Sequence, residues 1–151
     1  MQHKHHIVFL TGAGISQESG ISTFRDANGL WNNHKIEEVA SPEGFEKNPQ
    51  LVLDFYNARR KQLDEVNPNE AHHLIAQLET KYNVTVITQN IDDLHERAGS
   101  TNVLHLHGEL RKSRSSKNPN LIYDCNQDIK LGDLASDGNQ LRPHIVWFGE
   151  E

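Results

Sequence analysis

Short apolar runs alternate along the chain with polar segments that carry helix-forming patterns. Residues 7–10 (IVFL) and 84–88 (VTVIT) are short runs of β-branched and other apolar side chains. Runs of this length and composition are typical of buried strands. Two further short strands are predicted over 103–106 and, after Pro143, over 145–148. The pattern therefore predicts a small sheet whose strands are separated by longer polar segments.

Helix-start signals stand between the predicted strands. Asn48 and Pro49 offer an N-cap and a proline at the first helical position, and apolar residues follow at helical spacing. Asn67 repeats this device, with Glu70 three residues later as in a capping box. A third helix is predicted over 91–98, where it ends at a glycine.

Strands that alternate with helices predict an α/β domain with a mainly parallel sheet. The stretch 110–141 breaks this alternation because it is rich in Ser, Lys, Asn, Asp and Gly. We interpret it as an inserted small module or a long ordered loop. Its own packing is expected to come from six scattered apolar residues: Leu121, Ile122, Tyr123, Ile129, Leu131 and Leu134.

Two polar clusters follow directly after predicted strands, TGAGIS at 11–16 and TQNID at 88–92. Open parallel sheets bind their ligands at the carboxyl ends of the strands. Gly12 and Gly14 would let the backbone approach a pyrophosphate, and Ser16 can cap a helix whose N–H groups favour anions. The third glycine of the usual dinucleotide fingerprint is missing, so a tight turn without a ligand remains an alternative.

Three motifs occur in one order along the chain: GAGISQESGISTFR over 12–25, TQNID over 88–92 and HLHG over 105–108. Together they resemble the sirtuins, which are NAD-dependent protein lysine deacylases. The resemblance extends over residues 7–150. Further segments are similar to the bacterial and mitochondrial branch that removes acidic acyl groups: GLW at 29–31, EVASPEGF at 38–45, FYNARR at 55–60, DLHERAG at 93–99 and RPHIVWFGE at 142–150.

The resemblance implies a Rossmann-type fold, with NAD as the co-substrate and acylated lysine-containing proteins or peptides as partners. Residues 1–151 would form a partial sirtuin catalytic domain, with 110–141 in place of the family's zinc-binding module. Sirtuins continue beyond the FGE segment with the second half of the Rossmann sheet. The sheet is therefore expected to be incomplete, with the nicotinamide side of the cofactor site present and the adenosine side missing.

The resemblance also assigns catalytic and cofactor-binding residues. His107 matches the sirtuin catalytic base, and imidazole exchanges protons near neutral pH, as a general base must. Taken alone, His107 would more often be a structural, hydrogen-bonded histidine, and Asn90 or Asp92 would suit an Asx-capped turn. The residues expected to bind or cover the cofactor are Gly12, Ala13, Gly14, Ile15, Ser16, Phe24, Arg25, Gln89, Asn90 and Asp92.

A second set of residues is expected to bind the acyl-lysine substrate. Tyr56 and Arg59 lie three apart on the predicted helix, so their side chains can converge on one carboxylate, whereas Arg60 points elsewhere. This spacing also occurs by chance in amphipathic helices. The resemblance adds Ala40, whose small side chain leaves room for a longer acyl group. It also adds Val146, Trp147, Phe148 and Gly149, which match the segment that pairs with the peptide backbone and lines the acyl-lysine tunnel.

Zinc is not expected, although relatives usually hold one with four cysteines in two C-x-x-C pairs. A tetrahedral structural site needs four ligands, and Cys125 is the one cysteine of the chain. His105 and His107 are a poor metal pair because they lack a third ligand. We therefore predict no metal site, with apolar packing against the main domain holding the 110–141 segment.

Composition and charge narrow the function further. The formal net charge of −6 argues against a general affinity for nucleic acid. No apolar stretch is long enough for a signal-peptide core or a membrane span, so a cytoplasmic protein without membrane association is predicted.

The function that the resemblance implies is NAD-dependent removal of succinyl, malonyl and acetyl groups from protein lysines, giving nicotinamide and O-acyl-ADP-ribose. The isolated chain is expected to have little or no activity. Two alternatives remain open. One is a non-catalytic fragment that binds acyl-lysine or ADP-ribose, and the other is NAD glycohydrolysis or ADP-ribosyl transfer.

Overall fold

The computed structural model describes residues 5–22 and 30–150. Helices and short strands alternate up to residue 105, and strands predominate after it. The strands are β1 His6–Thr11, β2 Leu30–Trp31, β3 His34–Lys35, β4 Asn83–Thr88, β5 Val103–His105, β6 Gly108–Ser115, β7 Ile122–Asp124 and β8 Leu141–Ile145. The helices are α1 Ala13–Gln17, α2 Ile36–Val39, α3 Pro42–Lys47, α4 Pro49–Glu65, α5 Glu70–Gln77 and α6 Leu94–Ala98, with a 3-10 turn at Leu78–Thr80.

A three-stranded parallel sheet in the order β1-β4-β5 confirms the predicted fold class. Phe9 of β1 lies opposite Val86 of β4, and Val86 lies opposite Val103 of β5. Because the strands run in register, they end together at Thr11, Thr88 and His105. The polar clusters that follow β1 and β4 are therefore brought to one edge of the sheet.

One face of this sheet is covered and the other is exposed in the described chain. Val84 and Val86 point to the covered side, where they pack with Ile75 of α5. Alternate positions point to the opposite side, as the two-residue period of a strand requires. That side leaves four large apolar residues exposed: Val8, Leu10, Leu104 and Leu106.

The 110–141 segment contributes β7 and most of β6 to a separate antiparallel sheet in the order β7-β6-β8. The prediction of a strand over 145–148 was wrong, because β8 is Leu141–Ile145 and pairs with β6 rather than with the parallel sheet. Pro143 lies inside β8, which an edge strand tolerates because its N–H groups need not all join the ladder. The position of 110–141 as a module of its own stays a prediction.

The 110–141 segment is held against α4 by a few specific contacts. Cys125 and Ile129 bury themselves against Leu53 of α4. The Asn57 side chain donates to the backbone oxygen of Ile129 at 2.9 Å and accepts from its N–H at 2.9 Å. The expectation that the segment leans on the main domain is confirmed. The expected apolar packing is only partly correct, since Ile122, Leu131 and Leu134 are exposed.

Because α4 anchors the segment, we expect no stoichiometric zinc and no loss of fold on chelation. Structural zinc sites supply folding free energy, so chelators denature proteins that depend on them. Elemental analysis of the dialysed chain and its thermal melting with and without EDTA test this. One zinc per chain that survives dialysis, or a melting temperature lowered by EDTA, would show that the 110–141 segment was misread.

The long helix α4 confirms the local prediction at its start. Asn48 is the N-cap, and its side chain accepts from the Leu51 N–H at 3.1 Å, with Pro49 at the first helical position. Its apolar face packs into a core that contains Val52, Phe55 and Tyr56. None of the helices within the described ranges is both long and apolar enough to cross a membrane.

The predicted start of α5 is wrong by two residues. The N-cap of α5 is Asn69 rather than Asn67, and the His72 ring, not Glu70, accepts the Asn69 N–H. Asn69 is the N-cap because its side chain also donates to the Ile15 backbone oxygen, and this hydrogen bond joins α5 to α1.

Two further corrections concern the turns after β1 and β4. Ser16 does not cap a helix, because it lies inside α1, whose N-cap is Gly12. The helix predicted from residue 91 begins only at Leu94. The Asp92 carboxylate accepts the Leu94 N–H at 3.1 Å, so the preceding residues remain in a turn.

Candidate active site

A cavity of about 520 Å³ lies between the carboxyl ends of the parallel strands, α4 and residues 146–150. Most residues predicted from the sequence line it: Ala13, Ser16, Ala40, Tyr56, Arg59, Gln89, Asn90, Asp92, His107, Val146, Trp147, Phe148 and Gly149. Gly12, Gly14 and Ile15 are outside this lining, and Phe24 and Arg25 lie outside the described residues.

The glycine turn after β1 borders the cavity with open backbone. A Cβ atom added at Gly14 would meet nothing within 4 Å, and one added at Gly12 would lie 3.9 Å from the Gln89 side-chain oxygen. Space therefore remains above this turn for a ligand to approach the backbone. Ile15 instead packs against the sheet core. The turn thus has a structural role, and its role in binding a cofactor stays a prediction.

Ser16, Asn90 and Asp92 form a buried hydrogen-bonded cluster on the cavity wall. Ser16 Oγ donates to Asp92 Oδ2 at 2.8 Å, and Asn90 Nδ2 donates to Ser16 Oγ at 3.0 Å and to the Gly12 oxygen at 3.1 Å. Burial raises the pKa of Asp92, and the hydrogen bond from Ser16 opposes that shift. The capping role that an Asx residue suggests is therefore present at Asp92, on a side chain that also faces the cavity.

His107 presents a proton-accepting nitrogen to the cavity. Its Nδ1 lies 3.1 Å from the Gln89 backbone oxygen. A carbonyl oxygen only accepts, so Nδ1 is the donor in this contact, and in the neutral ring the lone pair is then on Nε2. The ring is exposed and lines the cavity. This is the tautomer that a general base needs.

His105, two residues earlier, has a different role. Its Nδ1 lies 2.8 Å from the Asn90 backbone oxygen and its Nε2 lies 2.6 Å from Glu96 Oε1. Burial alone would lower the pKa of His105, but hydrogen bonds to Glu96 and Asn90 raise it above its usual value. A doubly protonated ring thus ties the loop after β4 to α6. Ligand atoms of Glu96, His105 and Glu109 lie within 4.8 Å of one another, a grouping that this ion pair accounts for.

The far end of the cavity carries a buried phenol and a half-buried guanidinium. Tyr56 is fully buried, and its Oη accepts from the Trp147 indole N–H at 3.0 Å. Burial raises the pKa of Tyr56, so the phenol stays protonated. Arg59 has Nε and Nη1 buried without a hydrogen-bond partner among the described residues. Burial lowers the pKa of Arg59.

Arg60 turns away from this cavity, as expected from its position on the helix. Its Nε donates to the Leu110 backbone oxygen at 3.0 Å and its Nη1 donates to Asn57 Oδ1 at 2.9 Å. Arg60 is thus used to join α4 to β6. Of the two neighbouring arginines, Arg59 is the one that lines the cavity.

Residues 146–150 form the last wall of the cavity. The Val146 N–H donates to the His107 oxygen at 2.9 Å and the Phe148 N–H donates to the Ala40 oxygen at 3.0 Å. Trp147 is buried, whereas the Phe148 side chain is 61% exposed. The segment therefore leaves β8 with one side chain in the core and the next outside. It then turns at Phe148 and Gly149, where the Glu150 N–H donates to the Trp147 oxygen at 3.0 Å.

Sequence reasoning missed the charged network that holds this wall. Arg142 stacks on the Trp147 ring at 3.3 Å and donates to Glu150 at 2.6 and 3.0 Å. The sequence signal that could have indicated this network is an apolar run flanked by two opposite charges, Arg142 and Glu150. Other lining residues that were not singled out are Ile21, Ser22, Trp31, Asn32, Gln62, Leu63, Ile91, Leu110, Ile145 and Glu150.

The parallel sheet with a cavity at the carboxyl ends of its strands defines a Rossmann-like α/β ligand-binding domain. Residues 12–151 match the Sir2 family, and the chain belongs to that family. The resemblance to the sirtuins is confirmed.

Curated relatives and solved structures agree with this assignment. A protein of Helicobacter pylori strain J99 named NAD-dependent protein deacylase is 66% identical over 146 residues, which cover 97% of this chain and 62% of that protein. A Bacteroides thetaiotaomicron protein of the same name is 60% identical, over 96% of this chain and 64% of its own length. A solved Sir2 homologue in complex with NAD superposes with a TM-score of 0.84 at 45% identity, over 98% of this chain and 59% of that one. The chain thus spans about three fifths of the proteins it matches.

Proposed function

We propose that this chain carries the nicotinamide and acyl-lysine side of an NAD-dependent protein lysine deacylase that acts on succinyl-, malonyl- and acetyl-lysine. The observation that carries the proposal is one cavity lined by His107, by the Asn90 and Asp92 pair, and by Arg59. Two nitrogens of Arg59 have no hydrogen-bond acceptor among residues 5–22 and 30–150. The names of the curated relatives support it. The products would be the free lysine, nicotinamide and O-acyl-ADP-ribose.

The residues present fit an NAD co-substrate on its nicotinamide side. The turn formed by Gly12, Ala13 and Gly14 leaves backbone open to phosphate, while the Asn90 and Asp92 side chains offer donor and acceptor atoms to a carboxamide and a ribose. When bound, NAD supplies a ribose that becomes electrophilic as its bond to nicotinamide breaks. His107 Nε2 would take a proton from a ribose hydroxyl. Phe24 and Arg25 remain predicted to cover the cofactor.

Donors without an acceptor in the described part of the chain support the acyl-lysine side of the proposal. Arg59 and Tyr56 would hold the distal carboxylate of a succinyl or malonyl group, in space that the small Ala40 side chain leaves free. Residues 146–149 would pair with the peptide backbone by strand addition. Partners are thus acylated lysine peptides. A cytoplasmic location and the absence of nucleic-acid and membrane binding stay predictions from the sequence.

A non-catalytic binding fragment is the second candidate, because the chain covers only 62% of the Helicobacter pylori relative. NAD glycohydrolysis is less well supported, since it makes no use of a cavity end where Arg59 has donors that lack an acceptor among the described residues.

Fusion to the C-terminal segment of that relative should give NAD-dependent desuccinylation. The fused segment would supply the adenosine side of the cofactor site. Mass spectrometry of a succinyl-lysine peptide, together with nicotinamide release, measures the activity. Nicotinamide release that does not depend on the peptide would favour glycohydrolysis. A folded fusion that binds peptide without any turnover would favour the binding fragment.

A further inference from the structure

The hydrogen-bonding state of Tyr56 is set by its neighbour Trp147. An indole N–H can only donate, whereas a phenol hydroxyl can both accept and donate. The Trp147 Nε1 lies 3.0 Å from Tyr56 Oη, so the tyrosine oxygen is the acceptor. The hydroxyl hydrogen of Tyr56 is therefore not used in this contact. Within residues 5–22 and 30–150, no acceptor for it is recorded.

Arg59, on the same cavity wall, also has hydrogen-bond donors without acceptors in the described structure. Its Nε and Nη1 are buried without an acceptor in the described structure. Buried donors that stay unpaired destabilise the structure around them. The acyl end of the cavity thus offers hydrogens from Tyr56 and Arg59 and lacks oxygen atoms to receive them. An occupant that brings a carboxylate would satisfy both.

The indole that fixes Tyr56 is itself held rigidly. Arg142 stacks 3.3 Å above the Trp147 ring, and the Phe45 ring lies 5.4 Å from it on a tilted plane. The Trp147 backbone N–H donates to Glu150 at 2.9 Å, and Glu150 in turn accepts from Arg142. Because ring and backbone are both fixed, the indole N–H has one direction, towards Tyr56.

We propose that Trp147 is a specificity-determining positioning residue: its indole N–H occupies the Tyr56 oxygen and leaves the phenol hydrogen to donate to an anionic acyl group. The inference rests on the proposed function, because it assigns a role at the acidic-acyl end of the same cavity. A phenylalanine at 147 would keep the stacked ring and lose the N–H. The Tyr56 hydroxyl would then be free to turn, and its hydrogen would no longer be held ready for an anionic acyl group.

The test is a double-mutant cycle on peptide binding to the chain. Calorimetry with otherwise identical succinyl-lysine and acetyl-lysine peptides gives the dissociation constants of the parent, Trp147→Phe, Tyr56→Phe and the double variant. Trp147→Phe should weaken succinyl-peptide binding about threefold to tenfold, as the loss of one hydrogen bond implies. Acetyl-peptide binding should change less than about twofold. The double variant should bind no more weakly than Tyr56→Phe, because without the hydroxyl the indole has nothing to orient.

Trp31→Phe is the matched control. Trp31 lines the same cavity and meets the Tyr56 ring edge to face at a centroid distance of 6.0 Å. Trp31→Phe keeps the hydrogen bond from Trp147 to Tyr56, so it should leave the ratio of the succinyl and acetyl dissociation constants as it is in the parent. If the fold-changes in the dissociation constant for Trp147→Phe and Tyr56→Phe simply multiplied in the double variant, the role of Trp147 would be overturned. Equal losses of affinity for both peptides would overturn it too. Neither result would affect the proposed function. A parent chain that binds both peptides equally, or neither, would overturn the proposed acidic-acyl function and this inference with it.

Discussion

Replacing His107 by tyrosine is expected to abolish NAD-dependent desuccinylation by the fusion protein while peptide binding persists. The Nδ1 hydrogen bond to the Gln89 oxygen leaves Nε2 as the acceptor that faces the cavity, and no other described imidazole lines it. A positioned general base contributes about a hundredfold to ten-thousandfold in rate. Turnover measured by mass spectrometry should therefore fall by at least about a hundredfold.

The control for this substitution is His73→Tyr. His73 is exposed on α5 and lies outside the cavity. Its replacement should leave turnover and peptide affinity unchanged. A His107→Tyr protein that keeps turnover within tenfold of the parent, and binds peptide as the parent does, would contradict the assignment of His107 as the base.

Arg59→Met should cost about 2 to 4 kcal/mol in the specificity constant for succinyl-lysine and far less for acetyl-lysine. A half-buried guanidinium with two nitrogens that find no acceptor in the described structure gains most from a ligand carboxylate, which an acetyl group does not bring. At 1.36 kcal/mol per factor of ten, the succinyl loss corresponds to about thirtyfold to a thousandfold. Specificity constants for paired succinyl and acetyl peptides measure it in the fusion protein.

Lys61→Met is the matched control on the same helix. Lys61 is exposed, forms an ion pair with Asp128 and does not line the cavity. Its loss should leave the ratio of succinyl to acetyl activity as it is in the parent. If Arg59→Met lowered both specificity constants by the same factor, Arg59 would be structural and the acidic-acyl proposal would lose its main physical support.

The lack of zinc-binding cysteines in the sequence predicted that the 110–141 segment is held by packing against the rest of the chain. The 110–141 segment contains one cysteine, and the structure holds that segment through Leu53 and Asn57 of α4. The sequence predicted contact with the main domain. It did not identify Asn57, because a buried asparagine in a helix has no pattern that names its partner 72 residues away.

Features set by neighbouring residues were predictable from the sequence. Asn48 and Pro49 begin α4 as expected, since an N-cap and a proline act within one helical turn. The three-residue spacing of Tyr56 and Arg59 placed both on the cavity wall, and the motifs at 12–25, 88–92 and 105–108 identified the family. The parallel sheet followed from the alternation of short apolar runs with helices.

Features that depend on distant partners were decided by the tertiary structure. Asn69 rather than Asn67 caps α5 because its side chain also reaches Ile15, 54 positions earlier in the chain. The strand near Pro143 is an edge strand of a second sheet, which only its pairing with β6 reveals. The orientation of the Tyr56 hydroxyl depends on Trp147, 91 positions later. Local patterns record what a residue prefers, whereas hydrogen-bond direction and burial depend on which remote side chains the fold places beside it.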